Sequence, residues 1–204
     1  MSQVNLWAYE EKYYSRGLSL VCGVDEAGRG PLAGPVCAAA VILPPHVEIP
    51  GLNDSKKLSD KRRRELFPII QQQAVAYGIA MVDPKEIDEI NILQATLRAM
   101  ELAIGQLDPQ PEVSLIDGNR EKDFGLPVET VVKGDSLSAS IAAASILAKV
   151  KRDDYMLEMD KQYPGYGFAV HKGYGTKAHY DALRALGASP IHRMTFLRKF
   201  YGQE

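Results

Sequence analysis

The chain has 204 residues, 25% of them charged, and a formal net charge of -2, which suits one large domain, or one with a small appendage, and leaves no overall electrostatic footprint for nucleic acid. Its longest apolar run, Val36 to Leu43, is far too short to span a bilayer, and no cationic segment followed by an apolar stretch opens the chain, so a soluble cytoplasmic protein without membrane contact is expected. Cys22 and Cys37 fit neither a zinc spacing nor a disulfide framework and read as small core residues.

In chain order, Val4 to Ser15 is amphipathic enough for a short helix packed on the outside of the body, and Gly17 ends it. Leu18 to Val24 reads as a strand, followed by Asp25-Glu26-Ala27-Gly28-Arg29-Gly30-Pro31, in which the glycines and proline force a turn. Pro35 to Leu43 is a second strand, antiparallel to the first if the loop between them closes simply. Ser59 can cap a helix from Asp60 that Pro68 interrupts or restarts, and Ala74 to Val82 is a third strand. Asn91 can cap the clearest helix, whose stripe of Leu93, Leu97, Met100, Ile104 and Leu107 marks a core face, and Asp108-Pro109 stops it.

Val113 to Ile116 is a short buried strand that delivers Asp117 onto Gly118-Asn119. Pro127 to Val132 leads to Gly134-Asp135-Ser136, and Ser138 to Met159 is a long helix whose alanine run permits close packing on a sheet. Pro164 to Gly175 is an aromatic, glycine-rich loop, Thr176 caps a helix to Leu186, and a basic, aromatic tail follows. The order predicts an α/β fold: a mixed five-stranded sheet flanked by helices, with residues 1–160 as its body (1–17 a helical lead-in) and 161–204 as a helical extension. From Lys161 to Lys199 only Asp181 is acidic among many lysines and arginines, and His171, His179 and His192 fall there too, so a positive face is expected. The earlier basic block from Lys56 to Arg64 suits a solvated helix face.

Each acid has an ordinary reading alone: Asp117 in a turn, Asp135 as a helix cap, Asp25 and Glu26 at an exposed strand end. Together they lie at strand ends of one sheet and can meet, provided the first strand breaks so that adjacent side chains converge. Four carboxylates around one point suit two hard divalent cations roughly 3.5 to 4 Å apart, the arrangement of a two-metal phosphodiester hydrolase. The glycines beside them let backbone N–H groups approach a sugar-phosphate, and Arg29 can pair with a phosphate. On these residues alone a metal-dependent phosphatase, a DNA resolvase or a non-catalytic nucleic-acid-binding module stays open.

Six motifs in order, residues 25–31, Asn53-Asp54-Ser55-Lys56-Lys57-Leu58, Asp117-Gly118-Asn119, Lys133-Gly134-Asp135, residues 143–150 and His171-Lys172-Gly173-Tyr174-Gly175-Thr176, resemble those of the bacterial ribonuclease HII family, type 2 ribonucleases H, from about Leu18 to Phe200. The resemblance implies an RNase H-like sheet and an endonuclease, using Mg²⁺ or Mn²⁺, that cuts the RNA strand of RNA/DNA hybrids and nicks at ribonucleotides embedded in duplex DNA. It implies 5′-phosphate and 3′-hydroxyl products, a monomer whose partner is nucleic acid, and a place in DNA replication and repair. Asp25, Glu26, Asp117 and Asp135 match the catalytic, metal-binding acids, Gly28, Arg29 and Gly30 the sensor of the 2′-hydroxyl, and Tyr174 the tyrosine at the junction sugar. Lys56, Ser145, Lys149 and Arg152 match positions near phosphates or in the supporting shell. Thr195 stands where the family often has Ser. The related ribonuclease HIII carries an N-terminal substrate-binding domain, whereas seventeen residues precede the first strand here, so ribonuclease HII is the expected match.

Overall fold

The computed structural model describes residues 5–119 and 122–202; Val4, Glu204 and the loop positions 120–121 fall outside them. Five strands form one sheet in the order β3-β2-β1-β4-β5, with β1 Val21–Ala27, β2 Val36–Ile42, β3 Ala76–Val82, β4 Val113–Asp117 and β5 Val128–Val131. The first three are joined antiparallel, and β1–β4 and β4–β5 are parallel, so the sheet is mixed, as expected. Among the described residues no helix is long and apolar enough to cross a membrane.

β1 is central, and its alternation sorts the core. Cys22 and Val24 join Val36, Ala38, Ala40 and Ile42 of β2 against α3 (Pro84–Ile104), which covers one face. On the other face lie α2 (Asp60–Gln73) and α4 (Ala139–Gln162), whose Ala143, Ala144, Ile146 and Leu147 pack on Cys37, Ala39 and Val41. Both cysteines are free and buried. α4 comes so near the sheet at Gly23 that a Cβ there would stand 2.1 Å from the Ser140 carbonyl carbon.

Local structure departs from expectation at three places. β1 does not break before the acids but carries Asp25, Glu26 and Ala27 in continuous pairing with β2. Pro68 sits within α2 without ending it, after Ser59 has capped the helix by accepting from Arg62 N–H. Asn91 does cap the striped helix, accepting from the N–H groups of Leu93 and Gln94, but a preceding segment from Pro84 runs into it through a kink at Asn91 (φ 67°). The short helix α1 (Ala8–Tyr14) has a specific anchor: Glu10, fully buried, accepts from Ser138 Oγ (2.6 Å), Ser140 Oγ (2.7 Å) and Ser140 N–H (3.0 Å) at the start of α4.

The C-terminal part holds α5 (Phe168–His171) and α6 (Lys177–Leu186), the latter capped by Thr176. Its two small cores take in Leu32 and Ala33 from the β1–β2 loop, so the extension is built around that loop. The expected positive face is thinner than composition implied. Arg193 and the three histidines are buried, and of the exposed cations Lys161 pairs with Glu158 and Arg184 with Asp181, leaving Lys177, Arg198 and Lys199 exposed without an ion pair among the described residues. His192 and His179 form a neutral chain. His192 Nδ1 accepts from Ser189 N–H (2.9 Å), so its Nε2–H donates to His179 Nε2 (2.9 Å), whose Nδ1–H donates to the Tyr174 carbonyl (3.0 Å). Burial, then the neighbouring histidines, pushes His192 down to about 4.

Gly23→Ala should destabilise the fold by about 3 kcal/mol or more, because the clash is with helix backbone that cannot rotate away. A urea midpoint unchanged from wild type would show that α4 yields at this contact.

Candidate active site

The alternation of β1 decides which acids meet. Asp25 shares the α4 face with Gly23, whereas Glu26 points to the α3 face and lines a cavity with Arg29, Leu93, Thr96, Met100 and Asp117. Asp117, the last residue of parallel β4, and Asp135, in the 3₁₀ turn Gly134–Ser136 that precedes α4, come to the Asp25 side. One carboxylate oxygen from each of Asp25, Asp117 and Asp135 lies within 4.8 Å of the others. Glu26, the fourth acid expected there, lies outside this group of three but lines one cavity with Asp117, whose charge acts on it. An unbroken strand sends adjacent side chains to opposite faces, so Glu26 instead faces Arg29 at 3.6 Å.

The turn that delivers Asp135 is tightly specified. Gly134 N–H donates to Asp117 Oδ1 at 2.6 Å, and a Cβ on Gly134 would stand 2.5 Å from the Ile141 side chain. Asp25 is 3% exposed and Asp135 4%, so little water screens their repulsion. Burial, then the charges of Glu26 and Asp117, holds the Asp25 carboxyl well above the usual range. Burial, then Asp135, raises Asp117; burial, then Asp117, raises Glu26 against the opposing pull of Arg29.

Lys56 answers that charge. Asp54 accepts from Lys56 N–H at 2.8 Å and so holds the backbone of the 52–58 turn, and Lys56 Nζ donates to Asp135 Oδ2 at 2.8 Å. Burial opposes its charge, but the hydrogen bond to Asp135 and the nearby Asp25 and Asp117 raise its pKa on balance. Ser145 is buried under the same cluster, 2.7 Å from Ser55 Oγ, and its hydroxyl lowers the Asp25 pKa against the burial. Carboxylate oxygens converging from three separate elements, two of them buried, fit a hard divalent cation better than any neutral ligand.

Two expected substrate contacts are otherwise engaged. Lys149 Nζ pairs with buried Asp153 at 2.7 Å. Arg152 is 1% exposed and donates to the carbonyls of Pro35 (3.0 Å), Ala33 (3.1 Å) and Lys172 (3.1 Å), so it supports the glycine loop from beneath instead of reaching a phosphate. Gly28 (φ 95°) is required there, since a Cβ would lie 1.9 Å from Arg152 Nε. Arg29, Gly30 and Tyr174 are exposed beside one another: a Cβ on Gly30 would rest 3.7 Å from the Tyr174 ring, which lies over Arg152. Sequence reasoning missed Ser55 and Arg193; a serine in a turn and an arginine in a basic tail carry no signal of burial.

A mixed 3-2-1-4-5 sheet with three carboxylates gathered from the central strand, the end of its parallel neighbour and the turn before α4, and a glycine loop beside them, defines an RNase H-like, metal-dependent phosphodiester hydrolase. The ribonuclease HII profile matches residues 22–199. Ribonuclease HII of Acetivibrio thermocellus is 56% identical over 192 residues, 94% of this chain and 75% of that protein, and that of Geobacter metallireducens is 57% identical over 192 residues, 94% and 90%. The crystal structure of ribonuclease H2 from Pyrococcus horikoshii OT3 superposes with a TM-score of 0.70 at 29% identity, covering 86% of this chain and 92% of that one. The chain belongs to the ribonuclease HII family. It is an RNase H endonuclease that hydrolyses phosphodiester bonds of nucleic acid.

Asp117→Asn keeps the acceptor for Gly134 N–H and removes one charge, so without metal it should raise the melting temperature at neutral pH by about 2 °C, the scale of one modest ionic term in a chain of this size. The sign follows from the raised pKa. A protonated Asp117 costs nothing below the usual carboxyl range, and the penalty develops as pH rises through the raised folded value, so the gain should vanish on acidification. Thermal melts in chelator across that pH range test it; a variant less stable than wild type at neutral pH would mean the acids are not under mutual repulsion.

Proposed function

We propose that Asp25, Asp117 and Asp135 hold divalent cations, Mg²⁺ or Mn²⁺, and that the enzyme cuts the RNA strand of RNA/DNA hybrids and nicks duplex DNA at single embedded ribonucleotides. The observation that carries the reading is the convergence of three carboxylates, two of them buried, at the edge of an exposed glycine loop and tyrosine. Glu26 is the candidate to complete the set, because its carboxylate and Asp117 line the same cavity. Hard divalent ions in such a site supply an activated water and stabilise the departing 3′ oxygen, which accounts for a 5′ phosphate and a 3′ hydroxyl as products.

The remaining work falls to the chain. Gly134 N–H holds Asp117, and the Asp25 carboxylate accepts from Glu26 N–H, so these acids do not reorganise as charge develops at the phosphate. Lys56, 74% exposed at its side chain, is free to turn from Asp135 toward a phosphate oxygen when a cation takes its place. Telling RNA from DNA at one sugar requires reading the 2′-hydroxyl, both donor and acceptor, and the bare backbone of Arg29-Gly30 with the Tyr174 ring offers a surface for it. The extension 161–204 contributes Lys177, Arg198 and Lys199 to the backbone path, so affinity should depend on salt more than on sequence. A monomer acting in the cytoplasm suffices for this reading.

The deciding measurement is single-turnover cleavage of a labelled duplex with one ribonucleotide, with and without Mg²⁺ or Mn²⁺, by wild type and Asp117→Asn. Metal-dependent nicking that the variant loses is expected; binding without cleavage would favour a non-catalytic module, and cleavage of all-DNA substrates a resolvase. Gly30→Ala separates selectivity from folding. Its Cβ meets nothing closer than the Tyr174 ring, so stability should hold or rise slightly, while nicking at the lone ribonucleotide should fall about 10- to 100-fold through displacement of the sugar. Normal nicking by this variant would remove the glycine loop from the sugar-reading surface.

A further inference from the structure

Arg193 is fully buried and forms no ion pair among the described residues; Asp88 acts on it only from a distance. Its guanidinium is spent on backbone, with Nη2 donating to the Gly28 carbonyl (2.6 Å), Nη1 to that of Arg29 (2.9 Å) and Nε to that of Gly34 (2.9 Å). Its own N–H donates to the Leu32 carbonyl (2.9 Å), and the next turn is fixed by Asp88, which accepts from Met194 N–H (2.7 Å) and Thr195 N–H (3.0 Å). Burial, then the nearby Arg152, brings the Arg193 pKa down to about 9. A cation placed this deep without a carboxylate is expensive, and an apolar side chain would fill the same space more favourably unless the carbonyls needed a partner.

The geometry has a directional consequence. In a trans peptide the carbonyl of one residue and the N–H of the next point in opposite directions. Drawing the Gly28 and Arg29 carbonyls onto Arg193 therefore turns the N–H groups of Arg29 and Gly30 away from it, and neither has an acceptor among the described residues. Both residues are exposed, next to Tyr174.

We propose that Arg193 is a positioning residue: it orients two peptide planes so that the N–H groups of Arg29 and Gly30 are presented to the sugar-phosphate of the substrate, which makes the C-terminal segment a determinant of selectivity. The inference rests on the reaction proposed above. Lysine keeps the charge but is a single point donor and cannot span three carbonyls.

The test has two arms. In wild type without metal, the Arg29 and Gly30 amides, followed by ¹⁵N NMR, should exchange rapidly with solvent and shift on titration with a duplex bearing one ribonucleotide. In Arg193→Lys those resonances should move in the free protein, and kcat for nicking the lone ribonucleotide should fall about 10- to 100-fold while KM changes little. Unaltered amides and kcat in that variant would overturn the proposal. If the variant does not fold, the wild-type arm decides, and amides that are protected and indifferent to duplex overturn it. Failure of wild type to nick despite shifting amides would count against the reaction and not against the presentation, whereas normal nicking with indifferent amides would count against the presentation alone.

Discussion

Three carboxylates held within 4.8 Å of one another repel, and much of the local architecture serves to keep them there. Each comes from a different kind of support: Asp25 from within the central strand, Asp117 from the end of its parallel neighbour, Asp135 from a turn that a glycine and Asp117 itself constrain. Lys56 offsets part of the repulsion without metal, and the hydroxyl of Ser145 another part. The arrangement is costly for the free protein and complementary to a hard cation, which is how a site comes to bind metal strongly with few ligands.

A second constraint joins the two ends of the chain. Arg152 and Arg193, both buried and, among the described residues, both without a carboxylate on the guanidinium, divide between them the carbonyls of Gly28, Arg29, Ala33, Gly34, Pro35 and Lys172. The loop after β1 thus has its acceptors turned inward, and Leu32 and Ala33 carry it into the small cores of the extension. The neutral histidine chain ends on the Tyr174 carbonyl, so loop and tyrosine rest on one polar framework. In this family member the C-terminal extension is a support for the glycine loop.

Much of this was legible in the residues. Strand order along the chain, the caps at Ser59, Asn91 and Thr176, and the striped face of α3 all follow from local chemistry and periodicity, which are properties of neighbours in sequence. The acids and glycines were legible as a set because six ordered motifs point to one family. Less visible was the fate of individual charges. Lys149, Arg152 and Arg193 look alike in a sequence, as cations available to a ligand, yet Lys149 is held by Asp153 one helical turn on, and Arg152 and Arg193 are buried against carbonyls far away along the chain.

The sequence by itself determined which carboxylates exist, that a turn must follow the first strand, and the family to which the motifs belong, since those depend on residue identity and short spacing. Only the tertiary structure decided that β1 runs unbroken through Asp25 and Glu26, which groups Asp25 with Asp117 and Asp135 and sets Glu26 on the α3 side, in the cavity that Asp117 also lines. Where a strand ends is set by the partner that continues its hydrogen-bond ladder, here β2 pairing as far as Ala27 with Cys37, and no residue within β1 carries that information.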